Sequence, residues 1–154
     1  MKKIALEEHV HSQELGKIRM EWTARTKFPD LINKDFWMTN CMPKMLEPPE
    51  KVRIPLMDEA GIDIQVLSPN SPGIQGILDP VEAVEAAIRI NDSLYDFARK
   101  YPDRFLCFAS LPRQNPQAAA DELERCVTKL GFKGAIVHGH TNFHYLDERQ
   151  FDWV

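Results

Sequence analysis

Apolar runs alternate with capped amphipathic segments along this chain, and that alternation restricts what it can fold into. Residues 4–11, 62–67, 104–109 and 134–138 read as strands. Residues 50–60 read as a helix with Leu56, Met57 and Ala60 as its apolar positions, and Gly61 ends it. The next helix opens with Asp79 as N-cap, Pro80 at the first helical position and Glu82 completing a capping-box-like pattern. Its stripe runs Ala83, Ala87, Ile90, Leu94, Phe97, Ala98. Asn115-Pro116 opens a third helix with Ala119, Leu123, Cys126, Val127 and Leu130 on one face, closed by Gly131. Asp147, with Gln150 three residues on, starts a further helix. Strands separated by helices of this length imply βαβ units and a parallel sheet. Near-continuous apolar strands imply a sheet covered on both faces.

A single domain over residues 1–154 follows, with one irregularity. Residues 12–49 lack clean periodicity and carry Trp22, Phe28, Phe36 and Trp37 among four prolines. This segment reads as a long loop or lid, with room for short helices. The aromatics argue against simple disorder.

The first strand carries the chemistry. Strand residues alternate in direction, so Glu7, His9 and His11 are expected on one face. A carboxylate with imidazole nitrogens suits zinc, manganese or iron. A metal would also offset the cost of burying Glu7.

The totals exclude other classes. A net charge of -4 gives no support to nucleic-acid binding. No apolar run reaches a membrane span, and no signal-peptide pattern opens the chain, so the expected compartment is the cytoplasm. Cys41, Cys107 and Cys126 form no C-x-x-C pair and fit reduced thiols. Cys107 and Cys126 read as small core residues.

Four segments then carry a resemblance. They are Lys3-Ile4-Ala5-Leu6-Glu7-Glu8-His9, Met57-Asp58-Glu59-Ala60-Gly61-Ile62-Asp63, Tyr101-Pro102-Asp103-Arg104-Phe105 and Leu130-Gly131-Phe132-Lys133-Gly134-Ala135. Together they resemble the amidohydrolase-related metal-dependent decarboxylases, a group that includes the γ-resorcylate, dihydroxybenzoate, 5-carboxyvanillate and aminocarboxymuconate-semialdehyde enzymes. The resemblance implies an α/β fold, the N-terminal half of a (β/α)8 barrel, with the site at the C-terminal strand ends. It implies Glu7 and His9 as metal ligands for zinc or manganese. His9-Val10-His11 also spells the H-x-H variant of that pattern, and His11 is then a substrate contact, a donor to a metal ligand or a solvated histidine. The family's third ligand, a histidine on the fifth strand, and its late catalytic aspartate have no counterpart here. No catalytic residue is therefore assigned within these residues, and a fragment is expected.

Other positions at the same strand ends are candidates for substrate binding. His138 follows strand four and is expected to face a common space with Glu7 and His9. His140 is a weaker candidate, and His144 reads as exposed. Ser68, Asn70 and Ser71 can contact a substrate oxygen, although turn chemistry explains them equally. Of these, Ser71 is the one expected to bind substrate. Arg113 can hold a carboxylate, whereas Arg104 reads as capping the Tyr101-Pro102-Asp103 turn.

The function implied is a carbon–carbon lyase that decarboxylates an aromatic or related carboxylic acid, a small-molecule partner. Two alternatives stay open. One is metal-dependent hydrolysis of a lactone or amide on the same scaffold. The other is an inactive truncated product that self-associates, since a half-barrel exposes two sheet edges. A homo-oligomer is expected.

Overall fold

The structure, a computed structural model, describes residues 1–26, 42–141 and 144–145. β1 (Ile4–Val10) pairs in parallel with β2 (Ile64–Pro69), and β2 pairs in parallel with β3 (Phe105–Cys107). β4 (Ala109–Ser110) pairs in parallel with β5 (Ala135–Ile136). β3 and β4 are parts of one strand. Phe108 N donates to Leu67 O and Ala109 N donates to Gly134 O, both at 2.9 Å, so the chain leaves β2 and joins β5 at this point. The layer therefore runs β1, β2, β3/β4, β5.

The helices start where side chains satisfy their free N–H groups. α4 (Pro80–Ala98) is capped by Asp79, whose carboxylate accepts from Val81 N at 2.8 Å and Glu82 N at 2.9 Å. α5 (Pro116–Lys129) is capped by Asn115, which accepts from Ala118 N at 3.1 Å. α3 (Arg53–Ala60) ends at Gly61, whose φ of 64° is the left-handed C-cap that glycine adopts without strain. Between the sheet and these helices lies a core of Met57, Leu67, Leu94, Ala98, Phe105, Cys107, Ala109, Cys126 and Phe132. Leu67, Cys107 and Ala109 thus face the helices. Strand alternation turns Ser68 and Ser110 to the opposite, inner face.

Three features differ from the sequence reading. First, residues 13–26, expected within a loop, form α1 (Gln13–Thr26). Leu15 is buried in a second core cluster with Ile74, Ile77, Ala83, Ala86, Ala87 and Ile90, and Ile18 packs against it. Ser12 caps the helix through Leu15 N at 3.2 Å. The helix thereby covers the 3-10 turn Gly73–Gly76 that follows β2. A short α2 (Met42–Leu46) follows. Phe28, Phe36, Trp37, Cys41 and the helix expected from Asp147 lie outside the described residues.

Second, among the described residues β1 is not covered on both faces: Ile4 is 53% and Leu6 60% exposed. Third, a β-bulge interrupts β1. Ala5 lies opposite Gln65 and Glu8 opposite Leu67, so one extra residue sits in β1, and Glu7 takes a φ of 59° there.

Arg53, at the start of α3, braces the far end of β1 from the helix face. It donates to His9 O at 2.7 Å and Gln65 Oε1 at 3.0 Å, and it lies 3.9 Å from the Glu8 carboxylate. Arg104 closes its own turn through its N–H, which donates to Tyr101 O at 3.0 Å, and its side chain does similar work at the bottom of the sheet. It donates to Asp63 O at 3.0 Å and Asp58 Oδ1 at 2.7 Å. No described helix is long and apolar enough to cross a membrane.

Candidate metal and substrate site

The bulge decides which first-strand side chains share the inner face. From Glu8 onward the ladder is regular, with His9 opposite Ser68. Paired residues of a parallel ladder project to the same side. His9 accordingly meets Ser68 on the inner face, with Nδ1 3.1 Å from Ser68 Oγ. Glu8 goes to the helix face beside Arg53. Glu7 sits at the bulge, exposed, so simple alternation does not place it with His9.

His138 comes to the same space from the other side of the layer. Its imidazole lies close enough to His9 and His140 for their charges to act on it. Burial is the largest influence, and with those two histidines it lowers the His138 pKa to about 4, so the ring is neutral near pH 7. Its Nε2 is buried and has no hydrogen-bond partner among the described residues.

Gln75 fixes the backbone that carries His138. This 3% exposed side chain accepts from His138 N at 2.8 Å. Its amide nitrogen lies 3.1 Å from His138 O, 2.7 Å from His140 O and 2.9 Å from Thr141 Oγ1. Thr141 Oγ1 in turn accepts from Arg113 Nη1 at 3.2 Å. Loops after three successive strands are thus joined through one amide and one hydroxyl. Nothing in a lone glutamine among turn residues signals this in the sequence.

The remaining candidates fall into two groups. Arg113 is 4% exposed, and burial lowers its pKa. His11 is half-buried beside α1, with Nε2 3.1 Å from where a Cβ on Gly16 would lie. Burial lowers the His11 pKa, against the opposing effect of its hydrogen bond to Asn70. Ser71 is exposed, and its carbonyl accepts from Arg19 at 3.3 Å. Of the strand-two hydroxyls, Ser68 is the one placed on His9. His144 is exposed, as expected. Trp22 of α1 packs edge-on against His140 at 5.5 Å between ring centroids.

Does this set fit a metal? His9 has one ring nitrogen engaged by Ser68, which leaves the other to ligate. This is the arrangement that orients a metal-bound histidine. Glu7 adds a carboxylate from the same strand, and imidazole plus carboxylate suits zinc or manganese. No group of three metal-binding side chains converges among the described residues. The described residues therefore show one oriented donor, His9, with the Glu7 carboxylate exposed two residues before it.

Comparison with known proteins places the chain. A family model described as amidohydrolase matches residues 35–153. The chain is 42% identical over 137 residues to a γ-resorcylate decarboxylase from Polaromonas sp., a match covering 89% of this chain and 39% of that protein. A dihydroxybenzoic acid decarboxylase from Polaromonas sp., solved with manganese and the inhibitor 2-nitroresorcinol, superposes with a TM-score of 0.77 at 39% identity. That match covers 97% of this chain and 44% of the other. A 5-carboxyvanillate decarboxylase from Novosphingobium aromaticivorans, solved with manganese, gives a TM-score of 0.83 at 34% identity over 99% and 46% of the two chains. The chain thus spans less than half the length of these relatives and corresponds to the N-terminal part of their barrel.

Proposed function

The chain belongs to the amidohydrolase family, and from that membership we propose that it serves in the metal-dependent decarboxylation of a hydroxylated aromatic carboxylic acid. The observation that carries the reading is the 42% identity with a γ-resorcylate decarboxylase along 89% of this chain. The seating of His9 on Ser68 at the C-terminal end of β1 supports it.

In this reading Glu7 and His9 hold a divalent metal, manganese or zinc. When bound, the metal supplies positive charge for the substrate carboxylate and the adjacent hydroxyl. Ser68 fixes the His9 ring. Arg53 anchors the His9 carbonyl from behind, which keeps the ligand's backbone in place. His138 presents a neutral imidazole, which can donate or accept without adding charge. Arg113 brings a buried cation toward an acidic substrate, and His11 lines the edge of the site. The buried thiols of Cys107 and Cys126 fit a reducing compartment, and we assign the cytoplasm. We also infer a homo-oligomer, which sedimentation velocity tests.

Calorimetric titration of the manganese-loaded chain with 2,6-dihydroxybenzoate, paired with an assay for carbon dioxide release, tests the activity. Binding of the acid is expected, with carbon dioxide as the product wherever turnover occurs. Hydrolysis of lactones or amides without carbon dioxide release would favour the hydrolase reading instead.

A further inference from the structure

The two ends of α1 are anchored unequally. Its first turn is held firmly. Ser12 caps it through Leu15 N at 3.2 Å, and Leu15 is 4% exposed in the second core cluster. Glu14 Oε1 accepts from Arg89 Nε at 3.1 Å and from Arg89 Nη2 at 2.9 Å. Beyond Leu15 no described side chain of α1 is buried. Ile18 packs against the cluster from its edge, Arg19 reaches Ser71 O at 3.3 Å, and Met20 is 71% exposed. α4, by contrast, buries a full stripe from Ala83 to Ala98. Gly16 separates the two parts of α1. A Cβ there would lie 3.1 Å from His11 Nε2, so the close approach favours glycine, and glycine inside a helix weakens it.

The weakly held part lies on the elements that carry the site. Trp22 meets His140, and its Cδ1 lies 3.2 Å from where a Cβ on Gly76 would be. Gly76 ends the 3-10 turn whose Gln75 holds the backbone of His138 and His140. Nε2 of His138 is buried. A small molecule therefore meets that nitrogen only after a neighbouring element moves.

We propose that α1 is a hinged strap: residues 17–26 peel off the 3-10 turn about Gly16 and uncover His140 and the loop after β5, while Leu15 and α4 stay in place. A detached helix of this length does not keep its hydrogen bonds in water, so opening is read as amide exchange. It exposes little apolar surface, so urea hardly affects it. The opening is a property of this chain and does not depend on which acid the site takes.

The test is native-state hydrogen exchange by mass spectrometry on the full chain, from zero to about 1 M urea. Carbethoxylation of His140 by diethyl pyrocarbonate is followed beside it. Residues 17–26 should exchange at least about tenfold faster than residues 86–94 of α4, at rates that urea leaves unchanged. Ile18→Ala removes apolar contact from the strap but leaves Trp22 and His140 in the chain. It should speed exchange in residues 17–26 and modification of His140 together, each by about tenfold, with α4 unaffected. Ile18→Val, the milder change, should move both rates the same way by about threefold. Both variants are checked for folding by circular dichroism. Exchange of residues 17–26 in step with α4, with the same urea dependence, overturns the strap. A folded variant that speeds residues 17–26 without speeding His140 modification overturns it as well. So does one that speeds α4 equally.

Discussion

The neutral His138 makes the stability of this chain depend on pH in a way that one substitution should erase. Burial, reinforced by His9 and His140, lowers its pKa to about 4 from the ordinary 6.5. Between those values the unfolded chain binds a proton at this site and the folded chain does not. Stability therefore rises with pH across the window, reaches its full value above 6.5, and is lost as the pH falls toward 4. At 1.36 kcal/mol per unit, the whole depression corresponds to about 3 kcal/mol, of which about 2.5 kcal/mol is gone by pH 4.5. The His138→Gln variant keeps a polar side chain there but cannot titrate. Urea unfolding, followed by tryptophan fluorescence from pH 4.5 to 7.5 on both proteins, gives the comparison. Acid effects common to both cancel in the difference. Wild type should lose about 2 to 3 kcal/mol more than the variant on going to pH 4.5. Parallel curves, within about 0.5 kcal/mol throughout, would refute the argument that burial holds this ring neutral.

Other outcomes follow from the same contacts. Asn91→Leu should lower stability by about 3 kcal/mol or more, because it strands the Ser110 N–H and takes one donor away from the buried Glu122 carboxylate; calorimetric melting measures it. Gly76→Ala should cost about 1 to 3 kcal/mol, since its methyl would lie 2.7 Å and 2.9 Å from carbons of the Pro72 ring; an unchanged melting temperature would show that the turn yields freely. The double change Glu7→Gln with His9→Ala should abolish bound manganese or zinc as measured by elemental analysis, and stoichiometric metal in that protein would remove the ligand assignment. Gln75→Met should speed amide hydrogen exchange at His138, whose N–H the Gln75 side chain accepts, well before global unfolding, which exchange mass spectrometry can localise.

Much of the architecture was legible because capping and periodicity are local. Asp79-Pro80 and Asn115-Pro116 announced two helices to the residue, and the apolar strands fell in their expected order. α1 was missed for a physical reason. It buries a narrow stripe, Leu15, Ile18 and Trp22, while Met20 points out at 71% exposure, so its pattern is diluted. The spacing of those three residues with Ser12 ahead of them was a usable signal. Within the site, E-x-H on a strand was readable as chemistry, but the placement of Glu7 was not. A bulge is set by the pairing with β2, which no alternation rule over β1 alone contains. Ser110, Gln75 and Asn91 were invisible for a similar reason, since a buried amide acquires its role only from partners distant in the chain.

The brace that Arg53 places behind His9 gives β1 two unequal halves. Its N-terminal half begins beside Lys3, whose carbonyl accepts from Asp63 N at 3.0 Å and Ile64 N at 3.2 Å, and ends at the interrupted ladder between Ala5 and Glu8. Its C-terminal half is pinned through the His9 carbonyl. Thermal fraying that begins at Ile4 should therefore stop at the irregularity rather than run through to the imidazole. The strand can loosen at one end while the ligand it carries keeps its aim.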